Sequence, residues 1–152
     1  FHDRDGGPVA FYTSVAKDWP FTQRLARPAD ASLREWAADP APVLTIDHPG
    51  LPAMQGDWRD PFVFHADGRR FMVLGALQPE GGILPLFETE PGRVDGWRYR
   101  GIMASFPAAD ITLPECPVMV PLGEGRWLLL VSPFRAVEAM VGRFDADAGR
   151  VT

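Results

Sequence analysis

Two carboxylates, Asp60 and Glu115, stand at corresponding places in the sequence and could perform acid–base chemistry together. Each lies at the start of an apolar run and close before a proline, Asp60 in DPFVF and Glu115 in ECPVMV. A charge in front of a buried strand is costly unless it is compensated, so this placement indicates that the charge is used. The alternative is an ordinary turn, in which an acid before a proline ends a loop.

Two carboxyl groups that face one another in a cleft are the usual equipment of glycoside hydrolysis. One group must carry a proton near neutral pH to protonate the leaving oxygen, and burial or a nearby like charge raises its pKa. The other group must stay ionised, which an adjacent cation favours. Because Arg59 adjoins Asp60, we predict Asp60 as the permanent anion and Glu115 as the acid/base.

The residues around this pair predict short strands rather than helices. Asp67-Gly68 and Glu124-Gly125 lie between pairs of apolar runs and predict hairpin turns. Only residues 30–38 hint at a helical turn, with Asp30 or Ser32 as its cap. The clearest apolar runs are residues 8–13, 61–64, 71–75, 83–88, 127–131 and 137–144.

The strand pattern also repeats along the chain. Residues 5–13 align with residues 67–75, and residues 60–74 align with residues 116–130 after one insertion. Trp36 and Trp97 recur at matching places. Each unit predicts an inner strand, a glycine turn, a strongly apolar second strand, an amphipathic third strand and a tryptophan-bearing fourth. Four antiparallel strands in roughly 55–60 residues is the plan of a β-propeller blade.

The predicted fold class is therefore all-β, with about three blades of a propeller, each a four-stranded antiparallel sheet. The units cover about residues 1–48, 56–105 and 112–152 of one partial domain. The first unit is expected to lack its inner strand and the last its fourth. Since a propeller typically closes with four to eight blades, we expect this chain to be the interior of a larger domain, with further blades on both sides. A β-sandwich with regularly spaced hairpins is the alternative.

The propeller interpretation places Asp60 and Glu115 at equivalent positions of successive blades. The first strand of each blade lines the central axis, so the two carboxylates would converge at one mouth of the channel. Trp58 adjoins the acids and is predicted either as an aromatic wall for a sugar ring or as a packing residue. Asp57 is interpreted as a loop charge.

Composition excludes several other classes of protein. Hydrophobic residues make up 46% of the chain, which argues against disorder, and no apolar run is long enough for a membrane span. A net charge of -5 without blocks of like charge argues against a nucleic-acid partner. Cys116 is the only cysteine, which excludes an internal disulfide and a four-cysteine zinc site. His2, His48 and His65 show no metal-ligand spacing, so no metal is expected.

The motifs WRDPFVF (residues 58–64) and ECP (residues 115–117) together resemble the paired motifs of glycoside hydrolase family 32. That family contains the invertases, levanases, inulinases and related β-fructofuranosidases, with a five-bladed catalytic propeller. The resemblance extends along nearly the whole chain, through DRDGGPVAFYTS, LREWAADPAPVL and VEAMVGRFDADAGRVT.

The resemblance implies a retaining mechanism at a β-fructofuranoside, with a carbohydrate as the partner and with no cofactor. Glu115 would be the acid/base, and Asp60 would hold fructose hydroxyls and steady the transition state. Arg59 would orient the site electrostatically, and Cys116 would touch the surroundings of Glu115. The aspartate nucleophile of the family lies one blade upstream of residue 1, so this segment alone is expected to be inactive.

The chain departs from the family pattern beside the acid/base. Val118 stands where an aspartate usually follows Glu-Cys-Pro, and Pro114 stands where an aromatic residue is common. These departures leave two alternatives open. One is a five-bladed propeller glycosidase for another sugar such as arabinan, and the other is a non-catalytic carbohydrate-binding propeller.

Overall fold

The computed structural model describes residues 2, 6–15 and 20–152. Within these residues the chain forms three antiparallel sheets and contains no helix. Residue 5, where the predicted repeat begins, lies outside the described part. The described part also holds no helix long and apolar enough to cross a membrane.

The first sheet has three strands in the order β1-β2-β3. They are β1 (Ala10–Ser14), β2 (Thr22–Pro28) and β3 (Trp36–Ala38). The helical turn predicted for residues 30–38 is absent, because Trp36–Ala38 pairs with β2 as an edge strand. The Asp30 carboxylate still accepts hydrogen bonds from the backbone amides of Arg34 and Glu35, at 3.0 and 2.9 Å, so the predicted cap closes a turn instead.

The second sheet is a complete four-stranded blade in the order β4-β5-β6-β7. Its two middle strands are almost entirely buried because the first sheet covers one face and the third sheet covers the other. Alternation along β5 divides the core: Phe71 and Val73 pack in the cluster shared with the third sheet, and Met72 and Leu74 pack in the other cluster. The strands are β4 (Trp58–Ala66), β5 (Arg69–Gln78), β6 (Gly81–Thr89) and β7 (Arg98–Pro107).

The third sheet also has four strands, in the order β8-β9-β10-β11. They are β8 (Glu115–Gly123), β9 (Arg126–Ser132), β10 (Glu138–Asp145) and β11 (Arg150–Val151). The expectation that this unit lacks its fourth strand is therefore wrong. The turn after β10 returns the chain, and residues 150–151 pair with Asp145 and Phe144.

Packing between the sheets brings β4 and β8, the first strands of the second and third sheets, next to each other. Phe64 of β4 belongs to the same core cluster as Met119 of β8 and Leu129 of β9. Phe64 also lies edge-on to Phe144, with ring centroids 5.2 Å apart. This packing holds the second sheet against the third, so that the two inner strands, whose starts carry the predicted acids, lie side by side.

Candidate active site

Asp60 and Glu115 lie at the same end of two adjacent sheets. The Oδ2 atom of Asp60 accepts a hydrogen bond from the backbone amide of Cys116 at 2.9 Å, and the Cys116 thiol lies 3.5 Å from the same oxygen. The carboxylate of one inner strand therefore contacts the backbone of the next, directly beside Glu115. The convergence predicted from the sequence is present in the structure.

The two acids are not at equivalent positions, contrary to the prediction. The β4–β5 register shifts between Arg59 and Phe62, and the β8–β9 register shifts between Glu115 and Val118. In each bulge the residue before the proline is left-handed, with φ of 61° at Asp60 and 48° at Cys116. Asp60 therefore corresponds to Cys116, and Arg59 corresponds to Glu115.

These bulges explain how acids from different registers still meet. A β-bulge inserts an extra residue, bends the strand and re-aims a side chain. The left-handed backbone at Asp60 accompanies a carboxylate that reaches the next sheet, where Cys116 presents its amide. Aspartate tolerates this conformation better than most residues, so the residue type suits the bulge.

Arg59 joins the acidic groups of the site, but not in the way the sequence predicted. Its Nε and Nη2 atoms form a two-pronged contact with the Asp57 carboxylate, at 2.7 and 2.6 Å. Its Nη1 atom lies 3.1 Å from Oε1 of Glu115. The direct partners of Arg59 are thus Asp57 and Glu115 rather than Asp60. Asp57, interpreted as a loop charge, is instead the anchor of this arginine.

The environment of Glu115 favours its protonated form. Its side chain is 18% exposed, and this burial is the main cause of a raised pKa. Arg59 opposes the rise by stabilising the carboxylate, whereas the negative charges of Asp60 and Asp57 add to it. A carboxyl group with a raised pKa can hold a proton and donate it, which is what an acid catalyst requires.

A cavity of about 430 Å³ opens beside Asp60, between the starts of β4 and β8 and the end of β1. Asp60, Arg59 and Cys116 line it, and Glu115 adjoins it through its contact with Arg59. Its volume falls in the range of small-molecule sites. The other lining residues are Phe11, Tyr12, Thr13, Val15, Pro61, Phe62, Pro117 and Val118.

Trp58 does not line this cavity, and its prediction as a substrate-binding wall is wrong. Its side chain is fully buried, with an exposed fraction of 0%. Its Nε1–H donates to the backbone oxygen of Phe21 at 2.7 Å, and its ring lies 6.4 Å from that of Phe87. The packing alternative is correct, because Trp58 contributes to the core between the first two sheets.

The half-buried ring of Phe21 contacts a charged group of the site directly. The guanidinium of Arg59 lies over the Phe21 ring, 5.2 Å from its centroid. No motif distinguishes Phe21 in the sequence. Its backbone forms two hydrogen bonds, one with Gly56 before β4 and one with the indole of Trp58 at the start of β4.

Thr13 and Gln23 of the first sheet were also missed by sequence analysis. The Thr13 hydroxyl accepts a hydrogen bond from the Asp60 amide at 2.9 Å, and Gln23 is fully buried behind it. Both residues lie in short strands that contain several polar residues, so nothing in the sequence distinguishes them or indicates their partners. As to metals, the described residues contain no group of three or more His, Cys, Asp or Glu placed to hold an ion.

Comparison with known proteins agrees with this architecture. The model of the glycosyl hydrolases family 32 N-terminal domain matches residues 1–152. Sucrose-6-phosphate hydrolase from Klebsiella pneumoniae is 35% identical over an alignment of 111 residues, and the match covers 62% of this chain and 23% of that protein.

Two solved structures share the fold. A family 32 β-fructofuranosidase from Bombyx mori, in complex with sucrose, matches 95% of this chain and 33% of its own at 21% identity and a TM-score of 0.75. Fructan 1-exohydrolase IIa from Cichorium intybus matches 97% of this chain and 30% of its own at 22% identity and a TM-score of 0.76.

The chain thus spans 23% of the length of the curated relative and about a third of the first solved structure. The likeness to the solved structures confirms the all-β class and the propeller blades, and it excludes the sandwich alternative. The family match extends over the whole sequence and confirms the resemblance that the Arg-Asp-Pro and Glu-Cys-Pro motifs indicated. This chain belongs to glycoside hydrolase family 32.

Proposed function

We propose that this chain forms part of the active site of a glycosidase that releases terminal β-fructofuranosyl residues from sucrose, fructo-oligosaccharides or fructans. The observation that carries the proposal is the meeting of Asp60 and Glu115 at one end of adjacent blades, beside a cavity of about 430 Å³. The names of the relatives, which refer to sucrose-6-phosphate, β-fructofuranosides and fructan, support the substrate class.

Glu115 acts first as the acid in this proposal. Its raised pKa, caused mainly by burial, favours the protonated form that can donate to the glycosidic oxygen. As the bond between that oxygen and the anomeric carbon breaks, the proton moves from Glu115 to the leaving alcohol. In the second step the Glu115 carboxylate takes a proton from water, which attacks the same carbon.

The nucleophile of this retaining mechanism is a carboxylate outside residues 1–152, so both steps require the full-length protein. It forms a covalent fructosyl intermediate when the leaving alcohol departs, and the water activated by Glu115 releases it again. The chain alone supplies the acid/base and the groups around it, and it is expected to be inactive.

Asp60 is the second acid, and it holds the fructosyl ring. Its carboxylate lines the cavity and is tied on one oxygen to the Cys116 amide. Acceptor capacity remains on Asp60 for sugar hydroxyls, because an ionised carboxylate has about four lone-pair sites. Arg59 keeps Glu115 in place through its 3.1 Å contact, and Cys116 does the same for Asp60.

The decisive experiment compares Glu115→Gln with the wild type in the full-length protein, using sucrose, inulin and levan as substrates. Removal of a positioned acid/base is expected to lower kcat by about 10²–10⁴-fold. Glu138→Gln is a matched control, because Glu138 lies in the same sheet and pairs with Arg135 at the surface. Wild-type rates in Glu115→Gln on all three substrates would contradict the proposal.

A non-catalytic carbohydrate-binding propeller is a second candidate, favoured by Val118. This apolar side chain lines the cavity where the family pattern expects an aspartate. Saturable binding of fructosides by the full-length wild type without release of fructose would support this candidate. Release of arabinose from arabinan, without activity on fructosides, would favour a glycosidase of the same fold for another sugar.

A further inference from the structure

A chain of hydrogen bonds from the first sheet holds the backbone on both sides of Arg59. The Gln23 side-chain amide donates from Nε2 to the Trp58 carbonyl at 3.0 Å. The Thr13 hydroxyl donates to Oε1 of Gln23 at 2.8 Å, and the same hydroxyl accepts the backbone N–H of Asp60 at 2.9 Å. Two side chains of one blade thereby fix the start of the inner strand of the next.

The bulge explains why the Asp60 segment needs support from another sheet. The β4–β5 ladder skips from Arg59 to Phe62, so Asp60 and Pro61 have no paired residue on β5. Proline has no N–H, and an unsatisfied N–H at Asp60 would be costly. The hydroxyl of Thr13 satisfies that N–H and stabilises a left-handed residue, a conformation that persists only when its surroundings impose it.

Gln23 is held in place by its own backbone hydrogen bonds, and its side-chain oxygen fixes the orientation of the Thr13 hydroxyl. Its side chain has an exposed fraction of 0%, and its own backbone is bonded to Leu44 and Val43 at 3.0 and 2.9 Å. Since the hydroxyl proton of Thr13 is used on the Gln23 oxygen, the lone pairs of the hydroxyl are left to accept the Asp60 amide. Gln23 is thus too deeply buried to touch a ligand, but it orients the residue that holds Asp60.

We propose that Thr13 and Gln23 are positioning residues for Asp60, which keep its carboxylate aimed at the fructosyl ring by fixing the left-handed backbone at its base. This inference rests on the proposed function, because it assigns these residues an effect on catalysis. A structural role alone would change stability and leave the activity of folded protein unchanged.

The test uses Thr13→Val in the full-length protein, a variant that keeps the shape of threonine and removes its hydroxyl. We expect kcat/KM on sucrose and inulin to fall by about tenfold or more, since small misplacements at a reacting centre are costly. Thr13→Ser should restore most of the activity, because it restores the hydroxyl. Thr22→Val is the matched control: Thr22 is also half-buried in the first sheet, and its backbone pairs with Ser14 rather than with the Asp60 segment.

Two further variants separate positioning from direct contact, because Thr13 also lines the cavity. Gln23→Met should lower kcat/KM in the same direction, although Gln23 is fully buried. In an Asp60→Asn background, Thr13→Val should cause a smaller loss than in the wild type, because residues that act through one group are not additive. A threonine that affects activity independently of Asp60 would cause the same loss in both backgrounds.

The outcomes are distinguishable. A wild-type protein with no activity on fructosides would overturn the proposed function and this inference with it. An active wild type with unchanged kinetics in Thr13→Val, or with no recovery in Thr13→Ser, would overturn the positioning role alone. If Thr13→Val does not fold, Thr13→Ala takes its place. Failure of both to fold while Thr22→Val folds would assign the hydroxyl to folding and also overturn the positioning role.

Discussion

Asp60 and Cys116 occupy the same position in successive blades, and both have a left-handed backbone, with φ of 61° and 48°. Each lies in a bulge directly before a proline. The repeated bulge has two different uses. In one blade it presents the Asp60 carboxylate, and in the next it presents the Cys116 amide, which donates a hydrogen bond to that carboxylate at 2.9 Å. The same backbone bulge in two successive blades thus contributes to the site through a different residue in each blade.

The Cys116 position should tolerate residues according to their backbone freedom. Cys116→Val is expected to destabilise the full-length protein by about 1–3 kcal/mol, because a β-branched residue is strained at positive φ. Urea unfolding measures the change. Cys116→Gly, which adopts this φ without strain, is the control, and a valine variant more stable than the glycine variant would contradict the prediction.

Asp57→Asn should move the alkaline limb of the pH–activity profile to lower pH. Activity falls as pH rises through the pKa of the acid, which is Glu115 in the proposed mechanism. Burial is the main cause that raises this pKa, and the negative charge of Asp57 also contributes. Neutralising Asp57 therefore lowers the pKa of Glu115, and kcat/KM measured across pH should decline earlier. A limb that stays in place or moves to higher pH would contradict this assignment.

Arg59→Gln should have the opposite effect on the same limb. The guanidinium lies 3.1 Å from Glu115 and stabilises its carboxylate, so its removal raises the pKa of Glu115. The alkaline limb should move to higher pH, while kcat/KM at the optimum falls because Glu115 loses its anchor. Parallel profiles of the Asp57 and Arg59 variants provide the check, since shifts of the same sign in both would refute the electrostatic model.

Glu88 in the second sheet forms ion pairs with two arginines of the same sheet, and we expect these pairs to stabilise the fold. Its side chain is 10% exposed and lies 2.8 Å from both Arg69 and Arg100. Hydrogen bonding to Arg69 is the main cause of its lowered pKa, and the charges of Arg69 and Arg100 act in the same direction. Because the folded-state pKa is lowered, the stabilisation is present above the unfolded pKa of about 4.3 and is lost as pH falls through the folded pKa.

Glu88→Gln should therefore destabilise the full-length protein by about 1–3 kcal/mol at pH 7, and less under acidic conditions. Unfolding measured at several pH values tests both statements. Glu138→Gln is again the control, because its exposed pair with Arg135 should contribute less than about 1 kcal/mol. A loss that stays constant down to acidic pH would show that the Glu88 charge is not its cause.

The two acids and the blades could be recognised from the sequence because both correspond to short local patterns of residues. Asp60 and Glu115 stand at strand starts beside prolines, and the two central strands of the second sheet are continuous apolar runs. The repeat and the prolines already align Asp60 with Cys116, so the one-residue offset of the acids was readable, but the left-handed conformation of the bulges left no such pattern. The backbone amides of Asp60 and Cys116 each donate a hydrogen bond to a side chain of the preceding sheet, Thr13 and Asp60 respectively. A single sequence does not show which residues form these hydrogen bonds.

The same reason explains the error at Trp58 and the omission of Gln23. Adjacency to Asp60 in sequence suggested adjacency in the site, but alternation along the strand and the bulge after it send the indole into the core. Gln23 is 35 residues from Trp58 along the chain, and the sequence of its strand does not indicate that its side chain donates to the Trp58 carbonyl. Side chains that position a site from another blade are visible only once the blades are packed.

Gly75 shows how closely the middle blade approaches Glu115. Gly75 pairs with Arg59 in the β4–β5 ladder, and a methyl group on it would overlap the Pro114 carbonyl and lie 3.6 Å from the Cα of Glu115. In the repeat, this glycine aligns with Thr13, whose hydroxyl accepts a hydrogen bond from the Asp60 amide at the start of the preceding inner strand. The end of each second strand therefore sets the position of the next inner strand.

Gly75→Ala should displace the start of β8 and lower kcat/KM on fructosides by about a hundredfold, because a shift near 1 Å at a catalytic group has that effect. The strain should also cost about 1–3 kcal/mol of stability. Gly68→Ala separates the two effects. Its φ of 72° makes alanine strained there, but nothing lies within 4 Å of the added methyl group, and the turn is far from Glu115. That control should lose stability and keep its activity, so equal activity in the two variants would show that Gly75 does not position the acid/base.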